Sequence, residues 1–211
     1  MPNPLIRRSY EFEVRAEETE RGAVITGRPI VYNSRTDMGW FDEIIETGAL
    51  DGADLTDVRF LVNHDTKRIP LARSRRNNAR STMHLTSDLQ GLNIDWVELD
   101  VENNSEARAL YSAVQRGDIS GMSFMFSIDE ERWEDVESEH PTRHITKIGS
   151  VVEVSAVTFP AYEATTIDAR DKAALENARS ALEKARQSRE QDVDTFLELE
   201  KEKTKLLAGG K

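Results

Sequence analysis

The 211-residue chain contains no cysteine. That absence removes disulfides, thiolate metal sites, iron–sulfur clusters and a cysteine nucleophile together, and it suits a reducing compartment. No apolar run approaches the ~18 residues that a membrane-spanning helix needs, and the first residues lack the apolar segment of a signal peptide. Basic charge is in short supply: 28 Lys and Arg stand against 39 Asp and Glu, a net charge of -11. General nucleic-acid binders are basic, so neither nucleic acid nor a membrane is an expected partner. The glycines form no G-x-G-x-x-G and no phosphate-binding loop, and there is no H-E-x-x-H and no EF-hand aspartate cluster. Nucleotide chemistry and a catalytic metal therefore have no support, and no cofactor is expected.

What is present is uneven. The chain is 38% hydrophobic and 32% charged, polar for a globular protein but not disordered throughout. Residues 1–167 hold 29 acidic and 18 basic side chains, whereas residues 168–211 hold 10 of each, so the acidic excess lies wholly in the first part. The composition shifts near Thr165–Asp168, and an exposed linker is expected at 161–170. From Asp168 to Leu207 there is neither Pro nor Gly, and Ala, Glu, Lys, Arg and Leu dominate. Apolar residues recur there at Leu175, Ala178, Leu182 and Ala185, then at Phe196, Leu199 and Leu206. That register predicts one long helix, ended by Gly209-Gly210, with a coiled-coil stripe weakened by Arg189, Asp192 and Lys203. At ~38 residues it would run ~57 Å, longer than a compact domain can cover. Part of it can pack on its own domain, and the remainder suits a partner-binding or self-associating arm.

Residues 1–167 read as α+β with more strand than helix. Alternating or short apolar runs predict strands at 10–14, 23–32, 59–62, 91–97 and 123–129. Two more are expected at 143–147 and 150–159, separated by a turn at Gly149 and closed by Pro160. Asn104-Ser105-Glu106 opens a helix with Ala107, Leu110, Tyr111 and Val114 on one face and Gly117 as its stop. Seven acidic residues between Asp129 and Glu139 suggest a solvated hairpin tip. Six basic residues between Lys67 and Arg80 read as an exposed loop or a contact surface for an acidic partner.

Without cysteine, the nucleophile candidates are Ser, Thr and Lys. Of the four histidines, His140 and His144 have a metal-like spacing, but Pro141 makes a helix through them improbable. His64 lies at the polar end of Phe60-Leu61-Val62-Asn63-His64-Asp65, where a side chain can reach from a sheet edge into a cleft. Ser123 lies in Ile119-Ser120-Gly121-Met122-Ser123-Phe124, at a tight entry from a helix end into a strand. Such an entry can leave a hydroxyl near backbone N–H groups, as acyl transfer requires, and Ser120 competes for the role.

These segments together resemble the prohead (capsid maturation) serine proteases of tailed phages, HK97 type. The His64 segment followed by Ile69-Pro70-Leu71-Ala72-Arg73 and Asp88-Leu89-Gln90-Gly91-Leu92 is similar to the family's histidine region. The Ser123 segment, preceded by Ala113-Val114-Gln115-Arg116-Gly117, resembles its serine region. Val152-Glu153-Val154-Ser155 with Val157-Thr158-Phe159-Pro160-Ala161-Tyr162 resembles the segment that ends the protease domain. The resemblance spans roughly residues 5–165 and implies a fold related to herpesvirus assemblins: α+β, a mostly β barrel-type core with surrounding helices, here followed by the long C-terminal helix. It implies a prohead protease domain, which the shift in composition bounds at 1–167, and the helical arm read above occupies 168–211. Ser123 would be the nucleophile, His64 the general base and Glu153 the orienting acid, with His144 and Asp65 as rivals for the third place. The family commonly has glycine after Met-Ser-Phe, where this chain has Met125, which would narrow the cleft. The implied work is cutting the scaffolding segment of the major capsid protein, and the protease itself, inside the immature capsid in the host cytoplasm, or in the bacterial cytoplasm for a prophage-encoded chain. A non-enzymatic scaffolding protein, or a fused protease and scaffold acting through the arm, is the competing expectation.

Overall fold

A computed structural model describes residues 5–10, 14–158 and 169–208. In chain order the strands are β1 (Leu5–Tyr10), β2 (Arg15–Thr19), β3 (Gly22–Val31), β4 (Arg35–Asp37), β5 (Asp42–Ile45), β6 (Arg59–Val62), β7 (Ala72–Arg73), β8 (Met83–Asp88) and β9 (Gly91–Glu98). After α1 (Ser105–Gln115) come β10 (Gly121–Glu134), β11 (Thr142–Val157) and α2 (Ala169–Ala208). The fold is α+β. One sheet runs β1-β10-β11-β5-β4, with β6 and β7 attached to the far end of β11, and a second runs β2-β3-β9-β8. Among the described residues the strand pairings form these two sheets and do not close into a ring.

The alternation read from the sequence places the core. Ile25, Ile30, Leu92 and Ile94 from the second sheet join Phe60, Phe124, Phe126 and Val154 from the first, with Ala107, Leu110 and Val114 of α1, in one buried cluster. The α1 boundaries follow their signals: Asn104 accepts from the backbone N–H groups of Glu106 and Ala107, and Gly117 takes a φ of 78° just past the end.

Three strand expectations change. The first strand ends, rather than begins, at Tyr10, and residues 11–13 lie outside the described ones. β2, β4, β5, β7 and β8 were not expected at all. They are short or polar, and their partners rather than their own patterns hold them. Third, the two strands expected around Gly149 are one continuous strand, β11, and Gly149 is not a turn. A Cβ there would lie 2.3 Å from Asp129 Oδ1 and 2.8 Å from Ser127 Oγ, so close packing against β10 explains the glycine. The acidic tip is the end of the β10–β11 hairpin, as its composition suggests.

A charge network is buried inside this frame. Glu43 of β5 is fully buried and accepts from Arg8 of β1 through Nε and, at 2.7 Å, through Nη2. Arg143 of β11 also donates to it, at 3.3 Å, and reaches Glu131 at 2.9 Å through Nε. Burial alone would raise the Glu43 pKa, but the two guanidiniums overcome it and hold the carboxyl below its ordinary value.

The long helix divides in two. Ala178 and Leu182 are buried, Leu175 and Ala185 half-buried, and this proximal part packs beside β1 and β10. Arg186 donates to the Val136 carbonyl at 2.7 Å, and Arg179 lies 5.6 Å from the ring centroid of Trp40, which stacks on Trp133. From Gln187 to Thr204 every residue is exposed, including Val193, Phe196, Leu197 and Leu199. The linker expected at 161–170 falls almost wholly outside the described residues, as do Pro160 and Gly209-Gly210. No helix of the described residues is long and apolar enough to cross a membrane.

Candidate active site

Three adjacent strands converge on one spot. β10 and β11 pair antiparallel with Ser123 opposite Ser155, and β11 and β6 pair parallel with Ser155 beside Leu61. Side chains two apart on a strand share a face, so Ser123, Ser155 and Glu153 all project on the same side. At the end of β6 the chain turns sharply, with Asn63 and His64 both left-handed at φ 51° and 57°. A left-handed conformation costs a non-glycine residue about 1 kcal/mol each, and such strain persists only where neighbours hold it. Here they do. Asn63 N–H donates to the Ala156 carbonyl, and its side chain exchanges hydrogen bonds with Thr158 Oγ1 and the Thr158 N–H. The turn carries the His64 ring back over the sheet.

His64 Nε2 lies 2.5 Å from Ser123 Oγ, and His64 Nδ1 is hydrogen-bonded to Glu153 Oε1. The Glu153 carboxylate is buried, and its other oxygen accepts from Ser155 Oγ at 2.6 Å. Ser123 is itself fully buried, between β1 and β11, and its hydroxyl also reaches the Arg8 carbonyl at 2.7 Å. One hydroxyl hydrogen thus faces two acceptors. When it points to Nε2, the imidazole can take it. When it points to Arg8, Nε2 must carry a hydrogen of its own to bond Oγ. A hydroxyl, an imidazole and a buried carboxylate in this order form the arrangement that can activate an oxygen nucleophile.

The rivals lie elsewhere. His144 sits toward the opposite end of β11 among Arg132, Glu46 and Glu134. Asp65 turns away from the ring to accept from Lys67 N–H and to pair with Arg68. Ser120 is exposed, just before β10 begins. His140 and His144 do not share a site: His140 contacts Asp42, 3.1 Å away, and Asp42 also binds Arg35. Asp37, Asp42 and His140 bring ligand atoms within 4.8 Å of one another, but Arg35 already occupies an Asp42 oxygen there. Met125, two residues beyond Ser123 on the same face, stands opposite Glu153.

The basic run is not a bare loop. It contains β7 and a turn of 3-10 helix at Arg75–Asn77, and Arg73 pairs with Asp57 while Arg68 pairs with Glu106. This pairing answers part of its charge within the molecule.

A family model described as caudovirus prohead serine protease matches residues 10–180. The chain belongs to that family. The match covers the three segments singled out above and the first residues of α2. Compared with curated proteins and with solved structures, the chain matches none. Membership makes this a serine peptidase of capsid maturation, acting on a capsid protein within the procapsid of an infected cell. Two features of this prohead protease were missed in the sequence: the Ser155 hydroxyl and the Arg8 carbonyl beside Ser123. The first had a signal, because Glu153 and Ser155 are two apart on a strand; the second had none, since it depends on which strand pairs with β10.

Proposed function

We propose that Ser123 is the nucleophile of a serine endopeptidase, with His64 as general base and Glu153 as the acid that orients it. The observation that carries this reading is the unbroken contact from Ser123 Oγ through the His64 ring to Glu153. Nε2 takes the hydroxyl proton as Oγ attacks the scissile carbonyl carbon. The Glu153 carboxylate holds Nδ1–H and stabilises the imidazolium that forms. Collapse of the tetrahedral intermediate breaks the C–N bond, Nε2–H protonates the leaving amine, and water releases the acyl-enzyme by the same path.

The substrate in this reading is the scaffolding segment of the major capsid protein, and the protease also cuts itself. Met125 beside Glu153 narrows the face on which the peptide lies. Residues 1–167 act as the protease domain and 168–211 as an arm. The arm's exposed distal stripe, Val193, Phe196, Leu197 and Leu199, supports association with a second copy during assembly.

The test is co-expression with the major capsid protein of the same phage, followed by intact mass spectrometry. Wild type is expected to shorten the capsid protein at its N-terminus, and Ser123→Ala and His64→Ala to leave it whole. Assembly of shells from uncut capsid protein with all three would make the chain a scaffold. Cutting by Ser123→Ala but not by His64→Ala would move the nucleophile to Ser120.

A further inference from the structure

We propose that Ser155 is a positioning residue that ties the His64 turn and the Glu153 carboxylate together; this rests on the reading of Ser123, His64 and Glu153 given above. Ser155 is fully buried at the centre of the three-strand site. Its hydroxyl has one hydrogen, and it is donated to Glu153 Oε2 at 2.6 Å. A lone pair of the same oxygen accepts the backbone N–H of His64 at 3.1 Å. One atom therefore contacts both residues that must hold the imidazole.

A buried serine on a strand is commonly only a small residue that fits. Two observations separate Ser155 from that reading. Neither of its side-chain hydrogen bonds belongs to the sheet ladder, which is carried here by the backbone pairing of β6 and β10 with β11. Both end on functional groups. The His64 N–H lies in a left-handed turn beyond the end of β6, and Oε2 is the carboxylate oxygen not engaged by the ring. Without the hydroxyl the ladder remains, but the carboxylate can rotate away from Nδ1 and a strained backbone loses one of its tethers. Ser155 Oγ makes its hydrogen bonds to the His64 N–H and Glu153 and none to Ser123 Oγ, so it acts through Glu153 and His64.

The experiment measures the rate at which the full chain is modified at Ser123 by the small probe diisopropyl fluorophosphate, read by peptide mass spectrometry. Thermal midpoints are recorded for each variant. Ser155→Ala is expected to react about 10- to 100-fold more slowly than wild type, with its fold intact. Ser155→Thr, which keeps the hydroxyl, is expected to recover most of the rate. In a Glu153→Gln background, adding Ser155→Ala is expected to cost less than about threefold more, because residues acting through one another are not additive. Wild-type reactivity of Ser155→Ala, or losses that multiply with Glu153→Gln, would overturn the proposal. If Ser155→Ala does not fold, Ser155→Cys, of similar shape but a weak donor, is read on the same terms. A wild-type chain that is not modified at Ser123 would sink the underlying protease reading and the Ser155 role with it; modification of wild type and Ser155→Ala at equal rates would sink only the latter.

Discussion

Two buried carboxylates show how this protein places charge where water cannot reach. Glu153 has one oxygen on His64 and the other on Ser155, so its geometry is fixed at both ends. Glu153→Gln preserves shape but removes the charge that would stabilise an imidazolium. Capsid-cleavage time courses are expected to show a loss on the order of 10⁴-fold in turnover, with thermal stability little changed. Glu43 does structural work instead, between Arg8 and Arg143. Its folded-state pKa lies below its unfolded value, so the stability it contributes is fully present above the ordinary carboxylate value and is lost as pH falls from there through the lowered folded-state pKa. Thermal midpoints are therefore expected to drop on the acid side of about pH 4.5. Glu43→Gln is expected to cost about 3–5 kcal/mol at pH 7, because it removes the buried carboxylate that the Arg8 and Arg143 guanidiniums share, and to flatten that acid-side fall.

At the scale of elements, two glycines carry the closest approaches between strands. Gly91 opens β9 at φ 139°, and a Cβ there would lie 1.9 Å from the Ile30 carbonyl oxygen. Both the conformation and the backbone contact forbid a side chain. Gly91→Ala is expected to destabilise by more than the roughly 0.5–3 kcal/mol of an ordinary substitution, measured by urea unfolding. Gly149→Ala meets the movable carboxylate of Asp129 rather than backbone, so its cost is expected to be smaller, about 1–3 kcal/mol. The same contrast explains the misjudged turn at Gly149. A glycine between two apolar runs looks alike in sequence whether it turns the chain or admits a neighbour.

Over the whole molecule, α2 joins a stretch at 175–186 that packs on the protein to a stretch at 187–204 that is exposed throughout. Ala178 and Leu182 are covered by the protein itself, while Phe196 and Leu199, on the same sequence register, are not. Phe196→Glu combined with Leu199→Glu is expected to leave the unfolding midpoint of the folded core unchanged. If the arm associates with a second copy, light scattering during size exclusion will show wild type heavier than this double variant. A monomeric wild type would remove self-association from the proposed function.

The sequence by itself determined what depends on neighbours along the chain. The α1 cap at Asn104, the strand at Arg59–Val62, the hairpin's acidic tip and the long Pro- and Gly-free helix follow from periodicity and local chemistry. His64, Ser123 and Glu153 could be singled out by their motifs, but not brought together, because they stand 59 and 30 residues apart and meet only through the pairing of β6, β10 and β11. Polar strands such as β2 and β4 had no pattern of their own to read. The tertiary structure alone decided that Glu153 rather than His144 or Asp65 meets the His64 ring, that Ser155 hydrogen-bonds to Glu153 and to the His64 backbone, and that β1 pairs alongside Ser123. Each of these is a contact between strands, and strand pairing is set by the closing of a common core rather than by any segment's own residues.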